Sequence, residues 1–322
     1  MQPGSSPVTA TASSSQRPSG TFGRRDSPFG RRASRLAART MPLLPALLLL
    51  AVFLLGPIVW SIVGSLTNAT LTGASATSPD WVGLANYERL LADPDFPLSL
   101  WLTVVFTVLS AVVGQNVLGF LVAFAMTRAD RRVATIASGA VIGAWVLPEI
   151  VAAFVAYAFF SRDGTLNQLL AVIGLEGDNW LFTVPMLTIV LANVWRGTAF
   201  SMLVYRAALS EVPPELTEAA QIDGANGWQR LVRVTVPLLR GTIATNLMLV
   251  TLQTLSVFTL IYVMTAGGPG NASATLPVYA YQEAFRFGSI AFGTAIATVM
   301  LVIGAVFSIV YIRILNRAEA DR

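Results

Sequence analysis

Six apolar segments alternate with polar loops along this chain. They cover residues 43–65, 100–126, 134–160, 181–207, 241–265 and 290–315. At a rise of about 1.5 Å per residue, each segment in helical form can cross the roughly 30 Å hydrocarbon core of a bilayer. The first segment is too long, and begins too far into the chain, for a secretory signal peptide. The pattern therefore predicts an all-α polytopic membrane protein with six transmembrane helices.

The composition supports this prediction. Hydrophobic residues make up 54% of the 322 residues and charged residues only 12%, about half of the roughly 25% found in a soluble domain. Because the chain has no Cys and no His, thiolate nucleophiles, histidine bases and metal sites built on these residues are excluded. The six segments hold no Asp, which excludes a paired-aspartate site. We therefore expect no catalytic residue, no metal site and no enzyme in the membrane.

The basic residues, all of them Arg, predict the orientation. Three arginines, Arg89, Arg162 and Arg286, lie on one side of the predicted spans, and Arg196 lies inside the fourth. Seventeen lie on the other side: Arg17, Arg24, Arg25, Arg31, Arg32, Arg35, Arg39, Arg128, Arg131, Arg132, Arg206, Arg230, Arg233, Arg240, Arg313, Arg317 and Arg322. Since Arg accumulates in cytoplasmic loops, both termini are predicted to be cytoplasmic and the protein to lie in the cell membrane.

The polar segments differ in composition. Residues 1–40 are rich in Ser, Pro, Gly and Arg, which predicts a disordered tail that is attracted to lipid, ahead of a membrane domain over 41–322. Loops 66–99, 161–180 and 266–289 lie on the external side and are long enough to bind an extracytoplasmic partner. No feature indicates a nucleic-acid partner.

The cytoplasmic loop over residues 208–238 has the features of two helices at a sharp turn. Pro213 and Pro214 suit the first turn of a helix, and Gly224 suits a left-handed residue that ends it. Asn226 can cap a second short helix before Pro237 opens the fifth span. An interfacial helix that faces anionic lipid is expected to be basic, whereas this first helix is acidic. The loop therefore either lies against headgroups or, as its charge favours, binds a basic protein surface.

The same loop carries a spaced motif. Glu218-Ala219-Ala220 is followed after three residues by Gly224 and, nine residues later, by Val234-Thr235-Val236-Pro237. This run resembles the EAA motif of permease subunits from binding-protein-dependent ABC importers, with Val at two aliphatic positions. The segments Trp81–Phe96 and Met264–Gly288 are similar to loops of carbohydrate-type permeases, in particular the first permease of importers for maltose, glycerol phosphate and trehalose.

The resemblance implies a type I ABC importer permease fold that translocates a sugar or sugar-like solute. The implied partners are a second, non-identical permease, two copies of an ATPase and an extracytoplasmic binding protein. The implied ATPase-coupling residues are Glu218, Ala219, Ala220, Asp223, Gly224 and Pro237. Without Lys the chain has no Walker A motif, so ATP and Mg²⁺ are expected on the separate ATPase. An ion-coupled secondary transporter is the alternative.

Polar residues recur at helical spacing in the fourth and fifth segments. Asn193, Arg196, Gly197 and Phe200 share one helical face, and the same spacing relates Val250, Gln253, Thr254 and Val257. Amides, a guanidinium and an aromatic ring suit a sugar, although small and polar residues also mediate helix contacts in lipid. In the permeases that this chain resembles, the matching positions line the sugar site. Arg196, Gln253 and Val257 depart in residue type, so the same sugar is not implied.

The charged residues inside the predicted spans need partners, because a charge in the hydrocarbon core is costly. Glu149 is the acidic residue of the third segment, and Arg196 lies in the middle of the fourth. We expect either an intramembrane Glu149–Arg196 ion pair, contact of Arg196 with hydroxyl or phosphate oxygens of a ligand, or snorkelling or another partner. For Gln115 and Asn116 in the second segment, hydrogen bonds to a neighbouring helix are the favoured role.

Overall fold

The computed structural model describes residues 43–320, and their side chains to residue 313. The tail predicted over 1–40 lies outside the described residues. The chain divides into two units, Met1–Pro57 and Ile58–Arg322. The described part of the first unit belongs to the first apolar helix, and the second unit contains the remaining helices.

The described chain is helical, and its extended pairing is one isolated bridge between Thr67 and Trp81. In chain order, the helices are α1 (Leu44–Ser65), α2 (Ala85–Ala92), α3 (Asp95–Met126), α4 (Arg131–Val146), α5 (Glu149–Phe160), α6 (Thr165–Val172), α7 (Pro185–Ser210), α8 (Pro214–Ile222), α9 (Gly227–Leu238), α10 (Arg240–Leu255), α11 (Thr259–Thr265), α12 (Leu276–Tyr281) and α13 (Ile290–Ala320). Single helical turns form at Ala74–Thr77, Trp180–Thr183 and Pro269–Asn271, and π-helical stretches at Ala51–Leu55, Val108–Gln115, Leu231–Thr235 and Gln282–Arg286.

Four helices, α1, α3, α7 and α13, are continuous and long enough to cross a membrane. They correspond to the first, second, fourth and sixth predicted segments. The other two predicted segments are bent, so up to six spans are present in the described residues. The all-α, polytopic prediction is confirmed, but two of its spans are not straight helices.

The third predicted span, over 134–160, breaks between α4 and α5. The segment Glu149–Val172 is bent by 107° from α4. Proline has no N–H and disfavours helical geometry in the residue before it, and Leu147 accordingly adopts an extended ψ of 134° ahead of Pro148. Glu149, predicted to lie inside a span, is therefore the first residue of a new helix.

The fifth predicted span, over 241–265, is also two helices. The N–H groups of Ser256 and Val257 bond back to the carbonyls three residues earlier, which ends α10, and α11 begins at Thr259. At the other end, Pro237 lies inside α9, and α10 begins at Arg240 after a 71° bend. The prediction that Pro237 opens the fifth span was therefore wrong, because α9 continues through Pro237 to Leu238 and the bend follows at Leu239.

Close contact between α3 and α7 forms the centre of the bundle. A Cβ on Gly119 would lie 2.5 Å from the Cβ of Ser201, and one on Gly114 would lie 2.2 Å from a methyl of Val194. Small residues thus let the two helices approach, as in other membrane proteins. Towards the Pro185 end of α7, side chains of α5, α7 and α11 share a core that includes Ile189, Leu260 and Ile261.

Candidate functional site

A cavity of about 240 Å³ lies beside α7. It lies next to two breaks in the chain of helices, one between α4 and α5 and the other between α10 and α11. All seven residues predicted for the substrate path line it, and so does Glu149. The complete lining is Gln115, Trp145, Glu149, Asn193, Arg196, Gly197, Phe200, Gln253, Thr254, Ser256 and Val257. The structure therefore brings together residues that the sequence placed on two separate helices.

Hydrogen bonds from α3 fix the α7 wall of this cavity. Asn193 is buried, and its Nδ2 donates to Ser110 Oγ at 3.0 Å. The Nε2 of Gln115 donates to the backbone oxygen of Asn193 at 3.3 Å. A Cβ on Gly197 would lie 2.3 Å from the Gln115 side chain, so this glycine leaves the space that the amide fills. The predicted helix contact of Gln115 is confirmed, and the same side chain also lines the cavity.

Asn116 also bonds to neighbouring helices, as predicted. Its Oδ1 accepts from the hydroxyl of Tyr205 at 2.6 Å and from Nδ2 of Asn246 at 2.8 Å. Asn246 in turn donates to Ser201 Oγ at 3.0 Å. The network joins α3, α7 and α10 next to the cavity, as polar side chains do between membrane helices. Asn246 Oδ1 is buried and accepts no hydrogen bond from any described residue.

The expected Glu149–Arg196 ion pair does not form in the described structure. Glu149 Oε1 instead accepts a hydrogen bond from the backbone N–H of Leu260 at 3.1 Å, in the first turn of α11. Arg196 makes no hydrogen bond or ion pair with any described residue, and its Nε is buried. A helix N-terminus carries free N–H groups and partial positive charge, so it competes with the guanidinium for the carboxylate.

Two lining residues were not anticipated. Trp145 lies 6.2 Å from Phe200, ring centroid to ring centroid, and Ser256 ends α10. The signal for Trp145 was its position three residues before Pro148, because a broken helix turns its last residues towards the break. Nothing in the sequence distinguished Ser256 from the other hydroxyls of its helix.

The cavity offers groups for binding and none for covalent chemistry. Guanidinium and amide donors, a threonine hydroxyl, a carboxylate and two aromatic rings surround it. This set can hold a polar solute by hydrogen bonds while a ring covers an apolar face. Among the residues that the structure describes, no group of three His, Cys, Asp or Glu side chains could hold a metal ion.

The second candidate site is the loop formed by α8 and α9. Gly224 has a φ of +82°, and Asn226 and Gln229 form a reciprocal capping box at the start of α9, which confirms both predicted punctuation points. Arg230 donates to Gln221 Oε1 at 2.6 Å and so ties the two helices together. The α9 helix is longer than predicted, since it continues through a π-helical stretch to Leu238.

The surface of this loop is open. No described residue of α8 is buried, and the motif residues Glu218, Ala219, Asp223 and Gly224 are exposed. Large apolar side chains are exposed beside them, with Ile222 at 86% and Trp228 at 72%. These side chains leave apolar surface next to the motif available for contact.

The broken helices, the polar cavity inside the bundle and the exposed loop together define a helical membrane transport protein. A family model described as "binding-protein-dependent transport system inner membrane component" matches residues 115–320. The chain belongs to this family. It is thus the membrane component of a binding-protein-dependent transport system, as the EAA motif predicted, and the alternative of an ion-coupled secondary transporter is not supported.

Individual relatives agree with this assignment. A trehalose/maltose transport system permease protein of Thermococcus litoralis is 32% identical over 84% of this chain and 91% of its own length. A sulfoquinovosyl glycerol transport system permease protein of Agrobacterium fabrum is 31% identical over 86% of this chain and 90% of its own. A chain of a bacterial ABC transporter that imports the acidic polysaccharide alginate matches with a TM-score of 0.75 at 22% identity, covering 89% of this chain and 99% of that one. The predicted importer permease fold is confirmed.

Proposed function

We propose that this chain translocates a sugar or sugar derivative through the cavity beside α7. The observation that carries the proposal is the convergence of Asn193, Arg196, Gly197, Phe200, Gln253, Thr254 and Val257 on one cavity. Amide and guanidinium donors match sugar hydroxyls, and the Trp145 and Phe200 rings match the apolar face of a pyranose. The relatives named above carry trehalose or maltose and sulfoquinovosyl glycerol, which are saccharides.

A second permease is expected to complete the cavity. The cavity in this chain has a volume of about 240 Å³, which is below the roughly 300 Å³ of the smallest usual ligand pockets. A non-identical permease across the pathway would supply the missing wall. The extracytoplasmic binding protein, which the family description implies, would deliver the solute to one end of α7. The loop formed by α8 and α9, the coupling loop, lies at the other end.

The coupling loop is proposed to dock on an ATPase subunit. Glu218, Ala219, Ala220, Asp223 and Gly224 would make the contact, with Ile222 and Trp228 as apolar anchors. Pro237 lies within α9, one residue before the helix ends, and would contribute to the coupling from the end that leads into the 71° bend. Two ATPase copies, one for each permease, would bind ATP and Mg²⁺, and this chain would take no part in the hydrolysis.

The proposed orientation places this loop in the cytoplasm. Arg128, which follows α3, and Arg230 of α9 line one cavity of about 510 Å³, so these two Arg-bearing segments lie at the same end of the bundle. Arg accumulates on the cytoplasmic side. The N- and C-termini would then also be cytoplasmic, and the protein would lie in the cell membrane.

Alternating access follows from these parts. Closure of the ATPase pair on ATP would move α8 and α9, and the 71° bend between α9 and α10 would transmit the motion to the cavity wall that Gln253 and Thr254 form. The permease pair would open outwards, take up the solute and release it inwards when the ATPases separate. Both ends of the path are never open together.

The test is sugar uptake by the complete transporter, purified with its partners and placed in proteoliposomes. Trehalose, maltose and sulfoquinovosyl glycerol are supplied one at a time, with the binding protein and ATP. We expect ATP-dependent uptake of a saccharide that persists after ion gradients are dissipated. Uptake of an unrelated solute alone, such as an amino acid, would overturn the sugar proposal.

A further inference from the structure

A second cavity lies at the Pro185 end of α7, opposite the coupling loop. Its volume is about 710 Å³, within the range of small-molecule sites. The α7 helix has 26 residues, or about 39 Å at 1.5 Å per residue, so the two ends of the molecule are well separated. The outer cavity is lined by Tyr157, Ser161, Arg162, Asp163, Asn179, Leu181, Phe182, Tyr262, Val263, Met264, Thr265, Ala266, Gly268 and Pro269.

Aromatic rings without ring partners face this cavity. Tyr157 is 47% exposed and Phe182 is 62% exposed, and neither ring contacts another ring in the described part of the chain. Tyr262, in contrast, stacks on Phe258 at 5.2 Å between ring centroids. The cavity therefore combines two available ring faces with a third that is held in place.

Polar side chains stand beside these rings with their hydrogen-bonding capacity unused. The side chains of Arg162, Asp163 and Asn179 make no hydrogen bond or ion pair with any residue that the structure describes. They offer a guanidinium, a carboxylate and an amide within one concave site. Rings beside planar hydrogen-bonding groups are the chemistry that recognises a pyranose, which has apolar faces and a rim of hydroxyls.

The rim of the cavity is built by one set of hydrogen bonds centred on the side chain of Asn167. Asn167 of α6 donates from Nδ2 to the backbone oxygens of Arg162 and Asp178, both at 2.8 Å. Its Oδ1 accepts from Trp180 Nε1 at 2.6 Å. A Cβ on Gly177 would lie 2.4 Å from the Asn167 side chain, so the loop closes tightly around this residue. The unpaired side chains thus extend from a fixed backbone.

A short helix joins the outer cavity to the inner one. Val257 lines the inner cavity, Phe258 follows it, and α11 then carries Tyr262 into the outer cavity. Seven residues of helix span about 10 Å. Tyr281 packs against both Phe258 and Tyr262 at 4.9 Å, so the rings between the two cavities form one cluster.

We propose that the outer cavity is a second saccharide site, which holds the sugar before it enters the inner cavity. This inference rests on the proposed function, since it assigns the same substrate class to a separate place. Tyr157 and Phe182 stack on the sugar, Arg162 and Asn179 bond its hydroxyls, and the ring cluster along α11 guides it inwards. The proposed occupant of the site is a carbohydrate. Binding of a protein at this surface, without binding of a sugar, is the result that would oppose the proposal.

The experiment uses the complete lack of Cys in the chain. Single cysteines replace Ser161 in the outer cavity or Ser256 in the inner one, and each carries a nitroxide spin label. The full chain, with its co-purified partners, is placed in lipid nanodiscs and titrated with maltose, then with trehalose. Proton NMR of the sugar reports paramagnetic broadening and therefore which label the bound sugar approaches.

We expect the label at Ser161→Cys to broaden the sugar signals even when Gln253→Trp fills the inner cavity. Phe182→Ala is expected to weaken this binding about fivefold to tenfold, the value of one aromatic contact, and Phe182→Tyr to restore it. Phe154→Ala is the matched control. Phe154 is 59% exposed on the same helix as Tyr157 but does not line the cavity, so binding is expected to stay unchanged.

Three results would overturn the inference. Broadening by the Ser256→Cys label alone would leave one saccharide site, the inner one. Complete loss of the broadening by the Ser161→Cys label when Gln253→Trp fills the inner cavity would lead to the same conclusion. Reduced affinity of Phe182→Ala for the binding protein, with sugar binding unchanged, would make this a protein docking surface. In these cases sugar uptake by the unaltered transporter would still support the proposed function. If no saccharide is taken up or bound at all, both proposals fail.

Discussion

Glu149 shows what a single residue can and cannot reveal in a sequence. An acidic side chain in an apolar segment signals a partner, and Arg196 was the natural candidate. In the structure, the carboxylate of Glu149 instead accepts a hydrogen bond from the backbone N–H of Leu260 at the start of α11. This choice depends on the break between α10 and α11, which creates free N–H groups inside the bundle. A hydropathy pattern does not contain that break, so the identity of the partner could not be predicted.

Removal of this cap is expected to destabilise the protein. Glu149→Ala leaves the first turn of α11 without its side-chain acceptor, so we expect a loss of about 0.5–2 kcal/mol, as for other helix caps. Glu149→Gln keeps an acceptor oxygen and is expected to lose less. Thermal unfolding in nanodiscs measures both. Glu176→Ala, at an exposed acidic residue, is the control; an equal loss there would remove the evidence for capping.

Glu283 carries a pH-dependent contribution outside the spans. Burial raises the pKa of its carboxyl, Arg89 at 3.5 Å opposes that rise, and Asp93 and Asp95 reinforce it. A raised pKa means that the folded chain holds the proton more tightly than the unfolded chain. The resulting stabilisation is complete below the ordinary value of about 4.3 and is lost as the pH rises through the raised pKa.

The contribution of Glu283 to the melting temperature is therefore expected to fall as the pH rises above about 4.3. Glu283→Gln mimics the protonated carboxyl, so this part of the pH dependence is expected to disappear. Melting curves across the pH range, compared with those of Glu88→Gln at an exposed glutamate, test this. Parallel pH profiles for Glu283→Gln and the unaltered chain would contradict the prediction.

At the scale of elements, residues that begin or end a helix could be predicted from the sequence, and bends between helices only in part. Gly224 and Asn226 fixed the turn between α8 and α9, because a left-handed φ and an Asn cap are local properties. Pro148 marked the end of α4 in the same way, yet the apolar window ran across it. The end of α10 at Ser256 has no comparable marker and depends on packing, since Glu149 supports the helix that follows.

The α8 helix is expected to fail as a coupling element when its charge is reversed. Glu218 is exposed and does not support the fold, so Glu218→Lys should insert normally. Its lysine would meet the basic partner surface that the acidity of α8 implies, and we expect at least about tenfold less uptake per ATP hydrolysed. Proteoliposome uptake and ATPase rates measure this ratio.

Glu211→Lys gives the matched comparison for α8. It makes the same charge change at an exposed residue just outside the helix and is expected to leave coupling nearly normal. Equal losses in both variants would indicate a general charge effect. Normal uptake and normal ATPase association in Glu218→Lys would show that α8 is not the coupling helix.

At the scale of the molecule, the sequence identified the class of protein but not the meeting of several helices at one cavity. The EAA spacing identified the family that the family model and the relatives confirm. The two polar faces of the fourth and fifth segments were visible as patterns. Their meeting with Gln115 of α3 and Trp145 of α4 at one cavity depends on how four helices pack, which periodicity along a single chain does not encode.

The orientation of the whole molecule can be tested with two single cysteines, because the chain has none of its own. Ser78 lies in the loop after α1, and Glu211 follows α7; both are exposed. The Arg distribution puts Glu211 in the cytoplasm and Ser78 outside. In intact cells, an impermeant maleimide is expected to label Ser78→Cys, and to label Glu211→Cys only after permeabilisation. Since α1 separates the N-terminal segment from Ser78, this result would also place the N-terminus in the cytoplasm. The reverse labelling would put α8 outside, where no ATPase could reach it, and the proposed coupling would fail with the orientation.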